Sequence, residues 1–159
     1  MPGSRPPVHT GGCQCGAVRY ALFAEPINPH VCHCRMCQKA FGGYFAPLAG
    51  VPLADFAWLK GTPGVFHSSE AAERGFCRDC GTPLTFRYLD KDRINIALGS
   101  LDDPTQIPPL HQYGVEVHFE LQADRASMLV PFVEQIDVHD HQDGLDVGRI
   151  GCDAGDLGK

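Results

Sequence analysis

Short alternations of apolar and polar residues run from Gly11 to Phe132 and then stop. Ala17-Val-Arg-Tyr-Ala-Leu22 alternates well enough for a half-buried strand. Leu84, Phe86 and Tyr88 share one strand face, with Thr85 and Arg87 on the other. After the turn Asp90-Lys91-Asp92, the positions Ile94, Ile96 and Leu98 repeat the pattern, and the pair predicts a β-hairpin. Phe56–Lys60, Val65–His67, Arg74–Phe76 and Tyr113–Phe119 carry weaker versions of the same signal. Helical periodicity is confined to a turn or two around Cys37-Gln-Lys-Ala-Phe41, stopped by Gly42-Gly43. Ser68-Ser69 reads as a turn, and Ser100-Leu-Asp-Asp-Pro104 as a turn or the cap of a short helical one.

The pattern divides the chain into a flexible leader over 1–10, one mostly-β domain over 11–132, and a loosely ordered acidic tail over 133–159. Composition agrees: 18 Gly and 13 Pro in 159 residues disfavour long helices and favour short strands with many turns. The apolar share of 43% includes eight cysteines, so apolar burial alone is a thin source of stability.

Net charge is −6, with Asp137, Asp140, Asp143, Asp146, Asp153 and Asp156 concentrated in the tail against Arg149 and Lys159. No basic stripe exists to meet a phosphate backbone, which argues against a nucleic-acid partner. The uncharged run from Gly42 to Ala54 is interrupted by Pro47 and Pro52 and is too short to span a bilayer, so no membrane partner is expected. The first residues lack the apolar stretch of a secretory signal, and a cytoplasmic location is expected. In that reducing compartment, cysteines read as metal ligands or catalytic thiols rather than disulfides.

The cysteines fall in three tight groups, Cys13-Gln-Cys15-Gly16, Cys32-His-Cys34-Arg-Met-Cys37 and Cys77-Arg-Asp-Cys80-Gly81, with Cys152 alone in the tail. In extended chain, residues i and i+2 face the same way, so Cys13 and Cys15, and likewise Cys32 and Cys34, are expected to converge. A C-x-x-C turn followed by Gly is the zinc-knuckle form, because the Gly tolerates positive φ and turns backbone N–H groups toward the thiolates. A structural zinc takes four ligands and a catalytic one commonly three plus an open position. Seven cysteines divide accordingly: Cys13, Cys15, Cys77 and Cys80 as a closed structural site, and Cys32, Cys34 and Cys37 as a second site with a vacancy. Two zinc ions per chain are expected. A thioredoxin-like role for Cys77 and Cys80 lacks its βαβ context.

Other polar residues divide less sharply. His33, between two ligand cysteines, is expected to turn its ring away from the metal. His111 and His118 read as hydrogen-bonded structural histidines, and His139 and His141 as tail residues. Arg35 and Lys39 flank the three-cysteine group, either as solvated cations or as holders of an anionic substrate group.

In its surroundings the cysteine pattern resembles the glutathione-dependent formaldehyde-activating (Gfa-like) family, which includes the centromere protein V group. The resemblance rests on Gly11-Gly-Cys13-Gln-Cys15-Gly16-Ala-Val-Arg-Tyr20, Cys32-His-Cys34-Arg-Met-Cys37, Gly75-Phe-Cys77-Arg-Asp-Cys80-Gly81-Thr-Pro-Leu84 and Gly99-Ser-Leu-Asp-Asp-Pro104, over about residues 11–132. It implies a mostly-β, Mss4-like zinc-bound fold with short helical turns. Carried over by position, Cys13, Cys15, Cys77 and Cys80 match the family's structural zinc, and Cys32, Cys34 and Cys37 the zinc tied to activity. The implied activity is that of a carbon–sulfur lyase running in reverse, adding a small-molecule thiol such as glutathione to formaldehyde or a related small aldehyde. A homodimer is compatible with this reading. The alternative is a zinc-stabilised binding module with both metals structural, in which His30, His33 or Cys152 closes the three-cysteine site.

Overall fold

The computed structural model describes residues 5–115. Among them the chain forms β1 (His9–Gly12), β2 (Arg19–Leu22), β3 (Ile27–Cys32), α1 (Arg35–Phe41), β4 (Ala46–Pro52), β5 (Phe56–Lys60), β6 (Gly64–Ser69), β7 (Ala72–Phe76), β8 (Pro83–Tyr88), β9 (Arg93–Ala97) and β10 (His111–Tyr113). One sheet is ordered β1-β2-β5 and the other β10-β3-β4-β9-β8-β7-β6. Neighbouring strands are antiparallel except β10, which runs parallel to β3. The fold is mostly β with one short helix, as the alternation predicts.

The hairpin of β8 and β9 forms, although Leu98 has left the strand for a 3-10 turn over Leu98–Ser100. A second 3-10 turn, Pro104–Gln106, is capped by Asp103, whose side chain accepts from the Thr105 N–H at 3.2 Å. Three strands escape the sequence pattern. His9 and Thr10 fall in the predicted 1–10 leader, yet β1 pairs with β2 along its whole length. In β4, Ala46, Leu48, Ala49, Gly50 and Val51 are all buried, so a central strand covered on both faces shows an apolar run instead of alternation. Its Pro47 lies beyond the ladder with β9, which begins at Leu48, so the missing N–H falls where β4 has one neighbour. The third, β3, has Pro29 and a register shift between Ile27 and His30 that break its pattern. The late strand begins at His111 and ends at Tyr113, and the remainder of the expected Tyr113–Phe119 segment, from residue 116 on, lies outside the described residues. His118, His139, His141, Cys152 and the acidic tail lie outside them too.

Tyr20 and Leu22 of the small sheet share one core with Val51, Leu84, Ile94 and Ile96 of the large sheet. Tyr20 stacks on Phe56 at 5.5 Å and meets Trp58 edge-on at 6.1 Å, and its hydroxyl lies 2.8 Å from that of Ser100. Cys13 and Cys77 belong to this core. A smaller core holds Cys34, Cys37, Ala46 and Leu48 under α1, with Cys32, Met36 and Phe41 packed against it.

Asp102 ties the small sheet to the loop after β9. It accepts from Arg19 Nη1 at 2.7 Å, from the second Arg19 nitrogen, and from the Thr10 hydroxyl at 2.5 Å. These bonds, Arg19 first, hold its carboxyl below the ordinary aspartate range. A carboxyl depressed in the folded state stabilises the fold above its unfolded pKa, near 3.9, and loses that contribution as pH falls through the folded value. Asp102→Asn is therefore expected to flatten the acid limb of the stability–pH curve below about pH 4. Urea midpoints at pH 3 and pH 7 check this, and an unaltered pH dependence in the variant would refute it.

Candidate metal centres

The first centre is built from two short turns, each closed by the N–H of a glycine in the left-handed region. After β1, the Gly16 N–H bonds to the Cys13 carbonyl at 3.0 Å, with Gly16 at φ +73°. After β7, the Gly81 N–H bonds to the Cys77 carbonyl at 2.9 Å, with Gly81 at φ +75°. Glycine occupies this left-handed region without the Cβ penalty, so each turn curls a cysteine pair inward. Cys13 and Cys15 therefore converge through a turn, and the extended-chain reading of that pair is corrected. The Sγ atoms of Cys13, Cys15, Cys77 and Cys80 all lie within 4.8 Å of one another.

Polar contacts favour the thiolate at Cys13 and Cys80, whereas crowding by the Cys13 and Cys80 sulfurs pushes the Cys15 thiol up to about 12. The Val18 N–H points at Cys13 Sγ at 3.2 Å. The Thr82 hydroxyl lies 3.1 Å from Cys80 Sγ and accepts from the Gln14 N–H at 3.2 Å, joining the two turns. Hydrogen bonds from the Thr82 side chain and backbone pull the Cys80 thiol down to about 6.

The second centre lies where β3 passes into α1. Cys32 is the last residue of β3, Cys34 is the N-cap of α1, and Cys37 lies in the first turn. Cys32 and Cys34 thus meet through a strand-to-helix turn, and the helix begins at Arg35, earlier than its periodicity suggests. Gly42 ends it at φ 63°. The three Sγ atoms lie within 4.8 Å of one another, and among the described residues no further Cys, His or carboxylate atom joins them. Hydrogen bonds to the Cys34 and Cys37 sulfurs, reinforced by burial, push the Cys32 thiol far up. Three crowded sulfurs cannot all ionise unless a cation offsets them.

Donor chemistry fits one metal class. Both clusters offer only sulfur, the ligand set of zinc and other thiophilic ions. The first group has as many sulfurs as a four-coordinate site takes, and the second has three.

Among the described residues the histidines stay out of both clusters. His33 is buried, with Nε2 2.9 Å from Gln112 Oε1 and its ring edge-on to Phe45 at 5.7 Å. His30 places Nδ1 2.8 Å from the Asn28 carbonyl and packs edge-on against Tyr113. The backbone of β10 then seals the second cluster: the His33 N–H bonds to the Tyr113 carbonyl at 2.8 Å. Gly114 follows at φ +67°, where a Cβ would stand 2.9 Å from the Cys34 backbone nitrogen. Gly114→Ala is expected to cost about 1–3 kcal/mol, from left-handed strain and that clash. Denaturant unfolding measures this, and an unshifted midpoint would show that the segment does not close on Cys34.

Neither flanking cation reaches the sulfurs. Arg35 and Lys39 are exposed, and Arg35 Nη1 bonds to Gln38 Oε1 at 3.3 Å. The cation at the cluster is Arg74 of β7, whose Nη2 lies 3.6 Å from Cys37 Sγ. Sequence reasoning missed it because Arg74 carries no motif; the available signal was a charge within a strand segment two residues before Phe76.

Comparison with known proteins follows the same lines. Residues 8–116 match the family model of the glutathione-dependent formaldehyde-activating enzyme. The chain belongs to that family. An uncharacterized lyase of Schizosaccharomyces pombe is 30% identical over 84 residues, covering 53% of this chain and 61% of that protein. The chain therefore spans about three fifths of the length of this curated relative. A crystal structure of a Rhodobacter sphaeroides protein superposes with a TM-score of 0.53 at 22% identity, covering 65% of this chain and 98% of that one. At that identity the likeness concerns the fold, in which this Gfa-family chain places its two cysteine clusters. Among its described residues, no helix is long and apolar enough to cross a membrane.

Proposed function

We propose that this chain is a zinc-dependent enzyme of the carbon–sulfur lyase type, adding a glutathione-like thiol to formaldehyde or a related small electrophile. The observation that carries the reading is the difference between the clusters, four convergent sulfurs in one and three in the other among the described residues. In this assignment Cys13, Cys15, Cys77 and Cys80 hold a structural zinc, and Cys32, Cys34 and Cys37 hold the zinc at the reaction centre. A zinc ion with an open position supplies a site where a substrate thiol is acidified and delivered as thiolate.

The chain's own residues do the rest. Cys32, Cys34 and Cys37 fix the position of the reacting thiol against α1, and Cys34 and Cys37 are buried, which limits competing water. Arg74 offsets part of the negative charge that three thiolates bring. The bond from the His33 N–H to the Tyr113 carbonyl holds the backbone between Cys32 and Cys34. In the reaction the thiol sulfur forms a bond to the carbonyl carbon, the C=O π pair moves onto oxygen, and that oxygen takes a proton as the thiol gives one up. A reducing cytoplasmic compartment suits cysteines that, among the described residues, form no disulfide.

The test is the exchange rate between free and glutathione-bound formaldehyde, measured by NMR with and without the zinc-loaded chain. Acceleration above the spontaneous rate supports the reading. A rate equal to the spontaneous one with glutathione and with a panel of other thiols removes it and leaves the zinc-stabilised binding module.

A further inference from the structure

Between α1 and the β6–β8 part of the large sheet lies a cavity of about 300 Å³. Its wall is largely apolar, with Phe41 from the helix, Phe66, Phe76 and Pro83 from the sheet, and Thr85 beside them. Arg74 is the charged residue in that wall.

The position of Arg74 is unusual for a cation. The residue is only 9% exposed, and its guanidinium lies over the Phe86 ring at 4.7 Å. One nitrogen, Nη2, is directed at Cys37 Sγ, while Nη1 is shielded from solvent and has no hydrogen-bond partner. Glu73, its neighbour along β7, is paired with Arg87 at 3.1 Å, and among the described residues no carboxylate pairs with Arg74. A buried guanidinium that retains an unused N–H calls for an anionic oxygen. Its planar fork can grip two acceptors at once, which a lysine ammonium cannot do in fixed geometry.

We propose that Arg74 is the anion anchor of this cavity and takes the carboxylate of an acidic thiol substrate, with the apolar body of the ligand against Phe41, Phe66 and Phe76. The thiol clause rests on the reaction proposed above; the anchor does not. Because the same guanidinium touches Cys37, a carboxylate seated on it lies beside the three-sulfur cluster. Arg74 thereby selects which thiols are presented there.

The experiment uses the metal-loaded full-length chain and two probes without a thiol, 3-phenylpropionate and its neutral amide, followed by amide chemical shifts. Wild type is expected to bind the acid about tenfold or more tightly than the amide, with shifts centred on Gly75, Phe76 and Thr85. In Arg74→Met that ratio is expected to fall toward one, and Arg74→Lys to recover part of it. Phe66 is 60% exposed, so Phe66→Glu is expected to fold, and it sets a negative charge at the cavity mouth; loss of the ring should weaken both probes, and the charge should weaken the acid further, lowering the acid-to-amide ratio. Equal binding of acid and amide by wild type, or an unchanged ratio in both Arg74→Met and Phe66→Glu, overturns the anchor. A parallel exchange assay compares 3-mercaptopropionate with 2-mercaptoethanol. Acid binding without turnover of any thiol counts against the reaction and leaves the anchor standing. Thiol turnover with no preference for the acid counts against Arg74 as the selector.

Discussion

Stripping metal from this chain with a strong chelator at neutral pH is expected to abolish its near-UV circular dichroism in one cooperative loss. The reason lies in what the four-sulfur centre joins. Cys13 and Cys15 follow the edge strand of the small sheet, and Cys77 and Cys80 form the connection between β7 and β8 of the large one. Cys13 and Cys77 are also members of the main core, packed with Tyr20, Leu84 and Ile96. The Cys13 and Cys15 sulfurs stand 3.4 Å apart and those of Cys15 and Cys77 3.7 Å apart, so close that thiolates there repel unless a cation lies among them.

Magnitudes settle the direction. A structural zinc contributes an apparent ~10–16 kcal/mol at pH 7. A domain of ordinary size has a net stability of about 5–15 kcal/mol. Loss of the metal term therefore matches or exceeds what the remaining contacts supply, and the apolar interior is modest. Cys77→Ser should behave like the chelated protein, because it removes a buried ligand and leaves three sulfurs. Restoring zinc to the chelated wild type should return the spectrum; Cys77→Ser should not recover. A chelated sample that keeps its near-UV signal and its denaturation midpoint would sink the assignment.

The strands legible in the sequence are those with one wet face. β9 shows this, with Ile94 and Ile96 buried and Arg93 and Asn95 only partly so; in β8 Leu84 is buried, but Phe86 and Tyr88 are only partly buried, like Thr85 and Arg87 on the other face. β4 has no wet face along most of its length, so its residues reveal burial but no period. His9–Gly12 is too short and too polar to carry a pattern, and its pairing is decided by β2. The cysteine clusters were legible because ligand spacing is local, and the grouping into four and three follows from it. What spacing cannot convey is which turn brings the sulfurs together, and it cannot locate a partner such as Arg74, 37 residues from Cys37 along the chain. Arg35 and Lys39 lie nearer in sequence, but as helix residues they point to solvent. Gly114 shows the same limit, since its need for a positive φ comes from contact with Cys34, far away in the chain.

Cys34→Ser is expected to bring the glutathione–formaldehyde exchange rate down to its spontaneous value while the chain stays folded. The asymmetry with Cys77→Ser comes from the two cores. Cys34 belongs to the small cluster with Cys37, Ala46 and Leu48, and the main core of Tyr20, Leu22, Val51 and Ile96 does not include it. Replacing its sulfur with oxygen alters little volume, puts a good N-cap residue at the start of α1, where the Cys34 side chain makes no cap bond, and should cost about 1–3 kcal/mol. It does remove one of the three sulfurs that the described residues bring together there, and a metal held by two thiolates dissociates far more readily. Metal analysis should then find one zinc per chain where wild type has two, with near-UV circular dichroism preserved. Full exchange activity in a variant shown to have lost the second zinc would mean that the three-sulfur centre takes no part in the reaction. Unfolding of Cys34→Ser to the same degree as Cys77→Ser would mean that both centres are structural, and the binding-module reading would stand in place of the enzyme.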